Sequence, residues 1–141
     1  MALVVNLQRK IKLDLEPIKE FCERLRKTIS DAGDKYFSVA FVSDRRMKEL
    51  NSFFRGKAAT TDVLSFPHEA DEFDADDSNL GDIVISVEQA QRQALDNGLS
   101  IENEIQQLIL HGILHLSGYD HETDDGEMNK RELQLRRKLK I

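Results

Sequence analysis

The spacing of hydrophobic positions changes several times along the chain, and each change predicts an element. The apolar run ALVVNLQ at residues 2–8 predicts a first strand. From Leu15 to Ile29 the residues Ile18, Phe21, Cys22, Leu25 and Ile29 recur at three- and four-residue intervals. That spacing makes one helix face, with Pro17 in an early-turn position that tolerates it. Residues 36–43, YFSVAFVS, alternate instead and put Phe37, Val39 and Phe41 on one face of a strand. Ser43 or Asp44 can cap the helix that follows, in which Met47, Leu50 and Phe54 share a side. DVLSF (62–66) predicts a strand stopped by Pro67, and DIVIS (82–86) predicts another. Ser86 with Gln89 has the spacing of a capping box for a helix to about Asn97, which Gly98 ends. Ser100 opens a further helix, and a last one is expected from about Asp124 to Lys140. Three or four helices packed with a small mixed sheet of about four strands make an α+β fold. With no internal repeat and no linker, residues 1–141 are expected to form one domain with a real core.

Charge changes this picture locally. A net charge of −6 argues against a surface coated in positive charge to grip nucleic acid. Residues 69–82 hold seven acidic residues and no basic one, whereas residues 130–141 hold six basic residues against Glu132 alone. Each run reads as a solvated surface, and the asymmetry permits a local site for an anionic partner. The segment PHEADEFDADDSN (67–79) is apolar-poor and predicts a flexible connection between two strands, with His68 at its start as a surface residue. The single cysteine, Cys22, lies on a helix stripe and is expected to be a packed core thiol. With no partner for an internal disulfide, a reducing cytoplasm is the simplest setting. No apolar run is long enough to span a membrane, and MALVVNLQRK lacks the pattern of a signal peptide.

The densest chemistry is HGILHLSGYDH at residues 111–121, which holds three of the four histidines. Residues four apart on a helix lie one above the other, so His111 and His115 point the same way. A third ligand requires the helix to stop, and Gly118 stands where a glycine of positive φ ends a helix readily. Tyr119 and Asp120 then carry the chain round to His121. Three neutral imidazoles suit zinc, and also nickel, copper or iron. Three protein ligands leave a tetrahedral ion one open position, the arrangement of a catalytic site at the end of a central helix. The offsets are those of the metzincin peptidase motif, but Gly112 stands where that motif has its general-base glutamate.

HGILHLSGYDH followed by ETDDGEM resembles the YbeY family of bacterial endoribonucleases and ribosomal RNA maturation factors. LNSFFRGKAATTDVLSFP (50–67) and LGDIVIS (80–86) resemble two further stretches of that family, in the same order. The resemblance implies a metal-dependent endoribonuclease with one divalent ion, zinc or another transition metal such as nickel, on His111, His115 and His121. It also implies that Arg55 matters for activity. The implied substrate is single-stranded ribosomal RNA, with a role in late 16S 3′-end processing and in maturation and quality control of the small ribosomal subunit. The implied partners are that subunit and its assembly factors, in the cytoplasm and away from membranes. Thr60 stands where the family usually has proline. Arg55 offers a planar fork for two phosphate oxygens and Lys57 a point charge. Asp62 and Asp120 are candidates to fix an imidazole tautomer, and Asp62 equally to cap the turn. Two other classes stay open. One is a metallopeptidase, which Gly112 disfavours. The other is a non-catalytic ribosome assembly factor with a stabilising metal, because an aromatic content of 6% offers few stacking platforms for single strands.

Overall fold

In the strands, alternation decides which residues leave water. Phe37, Val39 and Phe41 of one strand and Ile83 and Ile85 of another are fully buried on a common face. The computed structural model of the protein describes residues 3–29, 35–68, 79–119 and 124–141. Among them the order is β1 (Leu3–Asn6), α1 (Leu15–Ile29), β2 (Tyr36–Val42), α2 (Asp44–Arg55), β3 (Val63–Pro67) and β4 (Asn79–Ser86). Three helices follow: α3 (Val87–Asn97), α4 (Ile101–Leu116) and α5 (Glu127–Leu139). The strands form one mixed sheet in the order β1-β2-β4-β3. β1, β2 and β4 run parallel and β3 runs antiparallel to β4. The fold is therefore α+β with four strands, as the periodicities predict, and it has five helices among the described residues rather than three or four.

The two faces of the sheet bury unequal amounts. The main core lies on the face of Val39 and Ile83, where the stripe Ile18, Phe21, Cys22 and Leu25 of α1 meets Ile105, Ile109 and Ile113 of α4. α4 is apolar on nearly all sides because it is the central helix, packed against β3, β4, α1, α3 and α5. On the other face, α2 covers a small cluster of Val42, Met47 and Leu64, with Leu50, Phe66 and Val84 beside it. Burial pushes the Cys22 thiol up to about 12, so it is a packed core residue rather than a nucleophile. No described helix is long and apolar enough to cross a membrane.

Several boundaries differ from the sequence reading for identifiable reasons. β1 stops at Asn6, because the buried Gln8 latches the chain into a turn: its Nε2 donates to Ile11 O at 2.7 Å and its Oε1 accepts from Ile11 N at 3.0 Å. β4 begins three residues earlier than expected, at Asn79, where pairing with β2 extends to Tyr36. Gly81 makes the β3–β4 pairing possible: at φ +129° a Cβ there would lie 2.1 Å from the carbonyl oxygen of Phe66. Of the acidic connection, residues 69–78 lie outside the described residues. α5 begins at Glu127, with Asp124 before it accepting from Gly126 N at 2.9 Å and Met128 N at 3.0 Å. Ser43 caps α2 through Arg46 N, and Asp44 turns inward to other partners. Phe54 shares the side of Met47 and Leu50, but α2 overhangs the sheet there and leaves it 56% exposed.

Candidate active site

β3 is one of the two edge strands of the sheet, and a groove of about 830 Å3 runs along it. Phe54 and Arg55, at the end of α2, line one side. His111, His115, Leu116, Gly118 and Tyr119, at the end of α4, line the other, with Thr61 to Pro67 as the floor. Two helices on opposite faces of the sheet thus meet across one edge strand. That arrangement brings Arg55 to the histidine pair although 56 positions separate Arg55 from His111 in the chain.

On α4 the spacing of four does what the sequence reading expects. The Nε2 atoms of His111 and His115 approach to 3.2 Å, and the rings meet edge to face with centroids 4.7 Å apart. Two imidazole nitrogens on one tetrahedral zinc ion stand about 3.3 Å apart, given bonds of about 2.0–2.1 Å, so the pair has the separation such an ion requires. The helix ends as expected. Tyr119 N donates to Leu114 O and Gly118 N to His115 O, each at 3.0 Å, with Gly118 at φ +100°. Among the described residues no cluster of three metal-ligating side chains forms, and the expected third ligand, His121, lies outside them together with Asp120.

Behind the pair stands a residue that the sequence reading passes over. Glu132 of α5 is buried, and its Oε1 lies 3.7 Å from His111 Nδ1 and 3.2 Å from Arg136. At 3.7 Å the contact with His111 is longer than an ordinary hydrogen bond, and it is an ion pair only when the imidazole is protonated. The contact with His111 chiefly, and then the charge of Arg136, hold the Glu132 carboxyl below its ordinary 4.5 against the opposing effect of burial. A carboxylate facing Nδ1 favours the tautomer with its proton there and leaves the Nε2 lone pair toward the groove. The signal was present in the sequence: Met128, Glu132, Leu135 and Leu139 fall on one buried stripe, and a charge on such a stripe needs a partner.

Asp62 settles as a structural group. It lines the groove, but its Oδ1 accepts from Val63 N at 2.8 Å and its Oδ2 from Gln93 at 3.2 Å, which fastens the start of β3 to α3. Thr60 is tied as well, donating to Asp44 at 3.3 Å. Asp44 also accepts from Ser86 and Arg92, each at 2.6 Å. Burial raises the Asp44 carboxyl, and these hydrogen bonds with the Arg92 charge outweigh that, leaving it below 3.8. The turn after Arg55 is therefore held by side chains. Lys57 and His68 are not among the groove-lining residues. Gly112 faces away from the groove, toward Ile83 in the core.

A profile of the family Endoribonuclease YbeY matches residues 4–140. The chain belongs to the YbeY family. It is 48% identical over 108 residues to Endoribonuclease YbeY of Nautilia profundicola, covering 77% of this chain and 75% of that protein. With the protein of the same name from Syntrophus aciditrophicus it is 37% identical over 141 residues, covering 96% and 88%. The solution structure of a Thermotoga maritima protein superposes with a TM-score of 0.67 at 32% identity, covering 99% of this chain and 89% of that one. The mixed sheet and its helices are thus a YbeY-like fold.

Proposed function

We propose that this YbeY-family protein is a metal-dependent endoribonuclease that cuts single-stranded ribosomal RNA in late 16S 3′-end processing and small-subunit maturation. The observation that carries the reading is the convergence of Arg55 with the paired Nε2 atoms of His111 and His115 in one groove, in a chain whose relatives are named endoribonucleases. His111, His115 and His121 hold one divalent ion, zinc or another transition metal. A bound ion of this kind supplies Lewis acidity and acidifies water near neutral pH. Glu132 keeps the His111 proton on Nδ1 and so keeps Nε2 available. Arg55, exposed at the end of α2, places its fork on two phosphate oxygens and stabilises the negative charge that develops on them. The floor of β3, fastened by Asp62 and Thr60, lies between Arg55 and the histidines.

The peptidase reading loses its footing in the packing of α4. Position 112 faces Ile83, so no side chain there reaches a substrate in the groove. The test is cleavage of labelled RNA and of casein by metal-loaded protein, each with and without chelator. RNA cleavage abolished by chelator is the expected result. Casein cleavage would establish a peptidase, and metal-bound protein inert toward both would refute the two enzymatic readings and leave that of an assembly factor.

A further inference from the structure

Three of the seven phenylalanines, Phe21, Phe37 and Phe41, are core residues, but two stand in water. Phe53 is 81% exposed and Phe54 is 56% exposed, side by side at the end of α2. The Phe54 ring meets Phe53 edge-on at 4.8 Å between centroids and Phe66 at 5.0 Å. Adjacent residues on a helix point about 100° apart, so the two rings face different surfaces. Phe54 lines the β3 groove, and Phe53 lines a shallow depression of about 480 Å3 beside Arg45, Lys48, Glu49 and Ser52. The rings form a ridge between the two.

The charge around this ridge is opposite to that of the whole protein. Residues 44–57 carry five basic and two acidic side chains, in a chain of net charge −6. Both acids are engaged: Asp44 by Ser86, Arg92 and Thr60, and Glu49 by Arg46 at 2.9 Å. Lys48, Arg55 and Lys57 make no ion pair among the described residues. Exposed rings interleaved with unpaired cations suit a polyanion that also carries flat apolar faces, the chemistry of an unpaired nucleic-acid strand.

We propose that Phe54 and Phe53 are stacking platforms for two bases of a single-stranded RNA, with a phosphate at Arg55 and the strand leaving the groove over α2 toward Lys48 and Arg45. The proposal deepens the endoribonuclease reading and rests on it. A low aromatic content suffices for this when exposed rings are gathered at one rim.

The test is stopped-flow anisotropy of a fluorescent oligouridylate on metal-loaded full-length protein, read before cleavage. Phe54→Leu and Phe53→Leu keep apolar bulk and remove the ring, while Phe54→Tyr and Phe53→Tyr keep the ring. Each leucine variant is expected to weaken binding roughly fivefold to a hundredfold, and each tyrosine variant to restore it, with Tm unchanged. An oligonucleotide lacking the stacked base is expected to bind wild type weakly and to erase the difference between wild type and Phe54→Leu. Leucine variants that bind like wild type, while Arg55→Ala loses binding, would overturn the stacking platform and leave the endoribonuclease reading standing. Leucine variants that change sedimentation rather than RNA affinity would make the ridge a contact between protein copies, against the proposal. A wild type that neither binds nor cuts RNA would overturn both.

Discussion

Gly112 sits between the metal-site helix and the sheet, and replacing it with alanine tests how tightly the two are joined. The added Cβ would lie 3.1 Å from Cδ1 and from Cγ1 of Ile83 and 3.2 Å from its Cγ2. Ordinary carbon contacts are about 3.5–4.0 Å, so three atoms of one side chain must give way together. Ile83 is fully buried in β4, between β2 and β3, so any shift of its side chain presses on the core around it. Two effects oppose each other. Replacing glycine with alanine inside a helix stabilises it by about 0.8–1 kcal/mol. Overpacking a closed core costs about 1–3 kcal/mol. Packing wins, and Gly112→Ala is expected to lose about 1 kcal/mol, a fall in Tm of about 4 °C for a chain of this size. Ile83→Val, which alone costs about 0.5–1.5 kcal/mol, removes one of the three clashing atoms. The double variant is therefore expected to be more stable than the sum of the single effects predicts, by about 0.5 kcal/mol or more. Urea denaturation of the four proteins measures all of this. A Gly112→Ala protein more stable than wild type, with effects additive to Ile83→Val, would refute the packing argument. The same geometry governs Gly112→Glu, which completes the peptidase motif in sequence. Its carboxylate would enter the core, so loss of folded protein is expected rather than casein cleavage.

Four other outcomes are expected. Metal analysis should find one ion per chain in wild type, and a triple variant of His111, His115 and His121 to alanine that kept full stoichiometry would refute the ligand set. Glu132→Gln should weaken metal binding about 10–100-fold in chelator competition; unchanged affinity would mean that His111 needs no carboxylate behind it. Arg55→Ala should fold and keep its metal yet cleave RNA about a hundredfold more slowly, Arg55→Lys should recover only part of the rate, and wild-type rates in both would make Arg55 a surface residue. Because the folded Asp44 carboxyl lies below 3.8, its contribution is full above that value and is lost as pH falls through the folded value. Asp44→Asn should thus be about 1–3 kcal/mol less stable than wild type near neutral pH, as expected for losing hydrogen bonds to a charged group, and the difference should shrink as pH falls below 3.8 in denaturation curves.

What the sequence determined by itself was whatever lies within a turn or two of the chain. Ser43, Ser86 and Ser100 cap the helices they precede, because a hydroxyl accepts from an amide three residues on. His111 and His115 meet because four residues make about one helical turn, and Gly118 ends that helix because it adopts the positive φ the turn requires. Alternation in β2 and the α1 stripe likewise give the buried faces directly. The tertiary structure decided everything that depends on which elements become neighbours. Arg55 reaches the histidine groove only because β3 is an edge strand with α2 on one face and α4 on the other. Glu132 becomes the partner of His111 only when α5 packs on α4, since a carboxylate's role is set by what it faces. The same logic places Gly112 against Ile83 and leaves Phe54 in water although its spacing matches the buried stripe. Periodicity fixes the direction in which a side chain leaves its own helix. Whether a sheet, a solvent or a ligand stands in that direction is fixed by strand order and helix overhang, which no local pattern encodes.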